Sequence, residues 1–133
     1  MSGLAENSYT KPLFSQPITG NNNASTTYAV NALASANAVL IKNTTGLIFN
    51  ITAMNASAGI RYVRLYNKAT APTAGTDTPI IIIAIPATSS KEISFSTGVL
   101  FSLGIGVAIT GAAAVLDSTA VSAGDVQLTI NYH

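Results

Sequence analysis

The sequence predicts an all-β protein: an antiparallel β-sandwich or jelly roll of about seven to eight strands behind an extended N-terminal arm. Three observations carry this. Val126-Gln-Leu-Thr-Ile-Asn-Tyr132 alternates apolar and polar residues without a break, the two-residue period of a strand with one face buried. Earlier runs rich in Val, Ile, Tyr and Phe are short and bounded by Gly, Pro, Asn and Ser, as strands bounded by turns are. No segment carries an apolar stripe at helical spacing.

Residues 1–37 form the arm. Asn, Ala, Ser and Thr dominate it, Pro12 and Pro17 interrupt any regular element, and Leu13, Phe14, Ile18 and Tyr28 are scattered without a period. Such a segment is either a frayed terminus or an arm that orders against a neighbour. Residues 38–133 form the sandwich. Val39-Leu-Ile41 is a short strand ending at the Asn43–Gly46 turn. Leu47 to Ala53 follows, with Leu47, Phe49, Ile51 and Ala53 on one face and Ile48, Asn50 and Thr52 on the other. Ile60 to Asn67 places Tyr62, Arg64 and Tyr66 on one face and Arg61, Val63 and Leu65 on the opposite one.

Lys68 to Pro79 is a long loop. Ile80 to Ile85 is a continuous apolar run, read as a strand buried on both faces. Ser89 to Glu92 reads as a turn, and Ile93 and Phe95 mark a short strand. Val99 to Leu116 has no charged residue and is long enough to cross a bilayer as a helix. Its three glycines, its β-branched residues and its strand-like alternation favour a strand or two, with Gly104 and Gly106 letting another backbone approach.

Chemistry is sparse. The sole histidine, His133, is the last residue, and cysteine is absent, so neither a transition-metal set nor a thiol site is assembled. The five acids, Glu6, Asp77, Glu92, Asp117 and Asp125, are dispersed in segments read as loops. Asp117 and Asp125 read as turn formers, since the calcium-loop spacing is absent. There is no GxSxG elbow and no complete glycine fingerprint. The expectation is a chain without enzymatic activity, cofactor or metal. Asn23, Asn43, Asn50 and Asn55 head glycosylation triplets, which the Asn/Ser/Thr-rich composition explains. The first residues lack the basic and apolar regions of a secretory signal.

Only 8% of residues are charged and the net charge is +1, against about 25% charged in typical proteins. A surface this bare is expected to pack against copies of itself or a partner, and offers no basic field for nucleic acid or anionic membrane. Arg61, Tyr62, Arg64, Tyr66 and Lys68 form a cationic and aromatic cluster. Strand parity splits its cations between faces, so a protein interface is the better reading than a single-stranded nucleic acid groove.

Tyr62-Val-Arg-Leu-Tyr-Asn-Lys-Ala69, the Pro72–Pro79 loop, the isoleucine run ending at Pro86 and the Phe95–Tyr132 block resemble small structural proteins of tailed bacteriophages. Ala108-Ile-Thr-Gly-Ala-Ala-Ala114 and Asp117-Ser-Thr-Ala-Val-Ser-Ala-Gly-Asp125 carry most of the likeness, which spans residues 60–132. The resemblance implies a virion component made in the host cytoplasm: a decoration (cement) protein on the capsid surface, bound to the major capsid protein or another virion protein. Its subunits would form a homo-oligomer, a trimer ahead of a dimer. Leu13, Phe14, Ile18, Tyr28, Arg61, Tyr62, Arg64 and Tyr66 are the candidate interface residues. The alternative is a tail, fibre or adhesin module that touches a host receptor or glycan through a loop such as Lys68–Pro79.

Overall fold

A computed structural model describes residues 25–133. Its eight strands are β1 (Thr26–Asn31), β2 (Val39–Lys42), β3 (Gly46–Asn55), β4 (Arg61–Asn67), β5 (Ile81–Ile85), β6 (Ser89–Phe101), β7 (Ile105–Thr110) and β8 (Val126–Tyr132). They form two four-stranded sheets, sheet one in the order β1-β8-β3-β6 and sheet two in the order β2-β7-β4-β5. Every pairing is antiparallel.

The pairs are nested: β1 with β8, β2 with β7, β3 with β6 and β4 with β5. A long hairpin rolled up on itself gives this order, with the nested pairs alternating between the sheets. That is the jelly-roll architecture, and of the two arrangements open at the sequence level it is the one adopted. No helix occurs among the described residues. The run Val99–Leu116 is divided between the end of β6, the whole of β7 and the loop that follows, and no described helix is long and apolar enough to cross a membrane.

The core lies between the sheets. Val126, Leu128 and Ile130 of β8 point into it, as their alternation predicts, against Val63 and Leu65 of β4 and Ile105, Val107 and Ile109 of β7. Burying such side chains away from water supplies the main drive for closing the sandwich, about 1.5–3 kcal/mol for each large one.

Four expectations are corrected. The arm does not extend to residue 37, because Thr26–Asn31 pairs along its whole length with β8, and Tyr28 and Val30 pack on the core. Leu13, Phe14 and Ile18 lie outside the described residues. The isoleucine run is not buried on both faces. It is the outer strand of sheet two, with Ile83 and Ile85 buried and Ile82 and Ala84 exposed. The Ser89–Glu92 turn is instead the start of β6, which runs unbroken to Phe101.

The last correction concerns parity in β3. The register shifts between Ile48 and Asn50, and on the β6 side the partner jumps from Val99 to Ser94. Phe49 sits in this bulge, and Gly98 takes φ 83 opposite it, a backbone angle that glycine adopts without strain. The extra residue turns Ile48 into the core beside Ile51 and Ala53, where unbroken alternation would have placed it on the outer face.

Short crossings between the sheets are tied by side chains. Asn37, at φ 53, accepts from the Leu33 amide at 2.7 Å and donates to the Leu33 and Ser35 carbonyls at 3.0 and 2.9 Å. Gly104 turns the chain from β6 into β7 where a side chain would overlap the carbonyl oxygens of Lys68 and Lys42, the close backbone approach expected of it.

Candidate interaction surfaces

The outer face of sheet two carries Tyr62, Arg64 and Tyr66, on the same side of β4 as strand parity requires. It is not open to a partner along its length. The loop between β7 and β8, residues 111–125, crosses it as a strap, and the Lys68–Pro79 loop covers the neighbouring part. Arg64 is 0% and Tyr66 2% exposed, so neither serves as a contact residue, and the expectation for both is corrected.

Arg64 pins the strap. Its Nε donates to Thr110 Oγ1 at 2.7 Å, Nη1 to the Val115 carbonyl at 2.8 Å and Nη2 to the Ala112 carbonyl at 2.6 Å. The guanidinium also lies 5.9 Å from the centre of the Tyr62 ring, within cation–π range. A planar fork of fixed donors meets several acceptors at once, which a lysine ammonium does less well. Asp117 holds the strap from within. Burial pushes its carboxyl up, but hydrogen bonds from Thr119, the Ala112 amide and Thr110 outweigh that and lower its pKa. Burial raises the Tyr66 phenol, an effect the nearby Arg64 charge reduces.

The other loops are fastened similarly. Asp77 accepts from Lys68 Nζ at 2.6 Å and from the Thr73 amide at 2.7 Å, and these bonds hold its carboxyl below the usual range. Asp125 accepts from the Ser122 amide at 3.0 Å and from Arg61 Nε at 2.9 Å, and its pKa is lowered first by the amide and then by Arg61. Arg61 therefore ties the end of the strap to β4. Tyr62 is half-buried and retains an accessible edge. Asp117 and Asp125 act as turn formers, as expected.

This fastening uses up most of the chain's charge. Among the described residues Arg61 and Lys68 are ion-paired and Arg64 is buried, leaving Lys42 and Lys91 as the other cations. Asp77 and Asp125 are paired and Asp117 is held in its loop, leaving Glu92. The solvent-facing surface is thus barer than the composition suggests.

Sheet one makes the point most clearly. Its outer face is built of cross-strand rows, Thr27–Asn131–Asn50–Ser94 and Ala29–Thr129–Thr52–Glu92. Asn131 donates to Thr27 Oγ1 at 3.0 Å and Asn50 to Ser94 Oγ at 2.8 Å, so the side chains are held in place by one another. Glu92 is the one ionisable group in these rows. Beside β4 and β5, Ile80, Ile82, Val115 and Leu116 are exposed apolar side chains. At the open side between β1 and β2, a crevice of about 190 Å³ is lined by Tyr28, Val30, Val39, Val107 and Ile109; cofactor sites are generally larger. No three His, Cys, Asp or Glu side chains come together among the described residues.

Sequence reasoning missed Thr110, Ala112 and Val115, the acceptors that bury Arg64. The available signal was an arginine inside an otherwise apolar and aromatic strand, since a cation in such a place needs acceptors from elsewhere.

No family profile matches the chain, and no curated protein is similar to it in sequence. Among solved structures, the coat protein of tobacco streak virus aligns with a TM-score of 0.36 and 11% identity, over 80% of this chain and 85% of that one. A likeness this distant says nothing of what the chain does.

Proposed function

We propose that the chain is a non-enzymatic structural protein of a virion, and specifically a decoration (cement) protein that binds the major capsid protein lattice of a tailed bacteriophage. The observation that carries this reading is the nearly charge-free outer face of sheet one, whose Thr, Asn and Ser side chains already bond to one another. Interface centres are depleted in charge, and side chains fixed before contact lose little entropy on docking. The bacteriophage assignment draws on the resemblance of residues 60–132.

The mechanism is passive. Each subunit contributes modest contacts, and a repeating lattice multiplies them. In this reading residues 1–24 add contacts with the lattice, and Leu13, Phe14 and Ile18 are their apolar side chains. The test is co-sedimentation with genome-free heads of the phage that encodes the chain. The full chain is expected to pellet at a saturating ratio, and deletion of residues 1–24 to leave the fold intact and abolish binding. Absence of the full chain from the pellet overturns the cement reading; retained binding by the shortened chain overturns the role of the arm.

One observation favours the tail or fibre alternative. The Lys68–Pro79 loop is held in a fixed shape by Asp77, as a recognition loop would be. A glycan-array signal lost on replacing that loop would move the assignment there.

A further inference from the structure

Strand β5 ends sheet two, and its outer side pairs with no strand among the described residues. Two hydrogen bonds fix which of its backbone groups face that open side. Lys68 N–H donates to the Gly104 carbonyl at 3.2 Å, so the even-numbered residues of β4 bond toward β7 and the odd-numbered ones toward β5. Register then directs Ile81, Ile83 and Ile85 toward β4, and leaves Ile82 and Ala84 with their N–H and C=O groups at the edge. Independently, Lys91 Nζ reaches across from β6 to the Ala84 carbonyl at 3.3 Å, which requires that carbonyl to point outward.

Proteins commonly protect such an edge with charges, proline or a bulge. Here Pro79 and Pro86 flank the strand, but the strand itself is Ile-Ile-Ile-Ala-Ile with no charge, and the Lys91 bond is its one guard. We infer that β5 pairs with β5 of a second copy about a two-fold axis midway between the two facing Ile83 residues, joining the two copies of sheet two into one continuous sheet. In that register Ile82 of each copy stands opposite Ala84 of the other. The Ile82 N–H donates to the facing Ala84 carbonyl, which gives up its bond to Lys91, and the Ala84 N–H donates to the facing Ile82 carbonyl.

The second copy is the fitting occupant because the edge is self-complementary under a two-fold operation, as an isologous interface requires. No like charges on the strand oppose it. Five paired residues alone make a small contact beside the roughly 800 Å² per partner of a standard interface. Ile82 widens it: it lies opposite Arg64 on the outer face, where Arg64 also holds Val115. This face-side apolar surface continues along the new sheet. The closed product is a dimer, where surface composition and resemblance alone had put a trimer first. The pairing does not depend on the capsid reading, since it concerns only two copies of this chain.

The test is the solution mass of the full chain by sedimentation equilibrium over roughly 1–200 µM, with amide hydrogen exchange at both ends of that range. The chain is expected to approach twice its 13.6 kDa mass, with the Ile82 and Ala84 amides protected more at high concentration than at low. Ile82→Lys, at a partly exposed outer-face position, is expected to weaken the dimer by at least roughly tenfold, while Leu33→Lys at the opposite edge leaves it unchanged. A monomer throughout, a trimer, a dimer insensitive to Ile82→Lys, or exchange at Ile82 and Ala84 that ignores concentration overturns the inference. The exchange measurement needs no substitution, so it decides the matter even if Ile82→Lys folds poorly.

Discussion

Asn55 is 1% exposed at the end of β3, and its side chain joins two turns. Its Nδ2 donates to the carbonyls of Gly59, Ile85 and Pro86 at 2.8, 3.0 and 3.2 Å. Its Oδ1 accepts from the amide and hydroxyl of Ser57 at 2.9 and 2.7 Å. The turn after β3 is thereby held to the turn after β5. Asn55→Ala strands buried carbonyls and is expected to cost about 2 kcal/mol, read as a lower denaturant midpoint at unchanged slope. Asn55→Asp costs more, because it aims a carboxylate at carbonyl oxygens. The same burial keeps this triplet from accepting a glycan in the folded chain. The carboxylates set the acid limit. Asp77, Asp117 and Asp125 all have folded pKa values below their unfolded ones. Their contribution is therefore complete above about pH 4 and is lost as pH falls through the lowered folded values. Thermal midpoints measured from pH 7 downward are expected to hold steady to about pH 4 and then decline.

At the level of elements, the first half of the strap is fastened to β4 by Arg64, while its far end is held by Arg61 and by backbone bonds to Ala32 and Ser35. Each hydrogen bond from a charged donor contributes about 1.5 kcal/mol or more, and Arg64 supplies three of them to Thr110, Ala112 and Val115. Arg64→Met is expected to raise proteolytic cleavage within residues 111–120 by at least about tenfold through local opening, while far-ultraviolet dichroism keeps its β-sheet form. An unchanged cleavage rate would show the strap to be held by other contacts. Strands were legible where apolar and polar residues alternate: β8 and most of β3 follow that pattern with one dry and one wet face, and β4 was legible from its β-branched and aromatic residues although both its faces are covered. Four isoleucines in a row carry no period, so the edge position of β5 was hidden. Ser89 to Glu92 resembles a turn because that part of β6 lies at the rim of sheet one, where polar residues are tolerated. The bulge at Phe49 also left no mark in the pattern, and Ile48 changed faces. Strand parity placed Tyr62, Arg64 and Tyr66 on one face correctly. That a distant loop would cover two of them depends on tertiary packing, which no local pattern encodes.

For the whole molecule, the nested strand pairing and the scarcity of free charge belong together. Apart from the neighbouring pair β4–β5, the nested pairs join strands distant in the chain, so the fold closes on long-range contacts, and among the described residues β1, β2, β5 and β6 form the sheet edges. Loops are secured with the ionic groups the sequence contains, and the faces are left neutral. Neutral faces suit a subunit that works in contact with others. The most direct measurement is the temperature at which phage heads lacking the chain release their genome, followed with a DNA-binding dye, before and after the purified chain is added. The cement reading predicts that release moves to higher temperature and that the gain levels off once lattice sites are full. Release at the same temperature with and without the chain would contradict it.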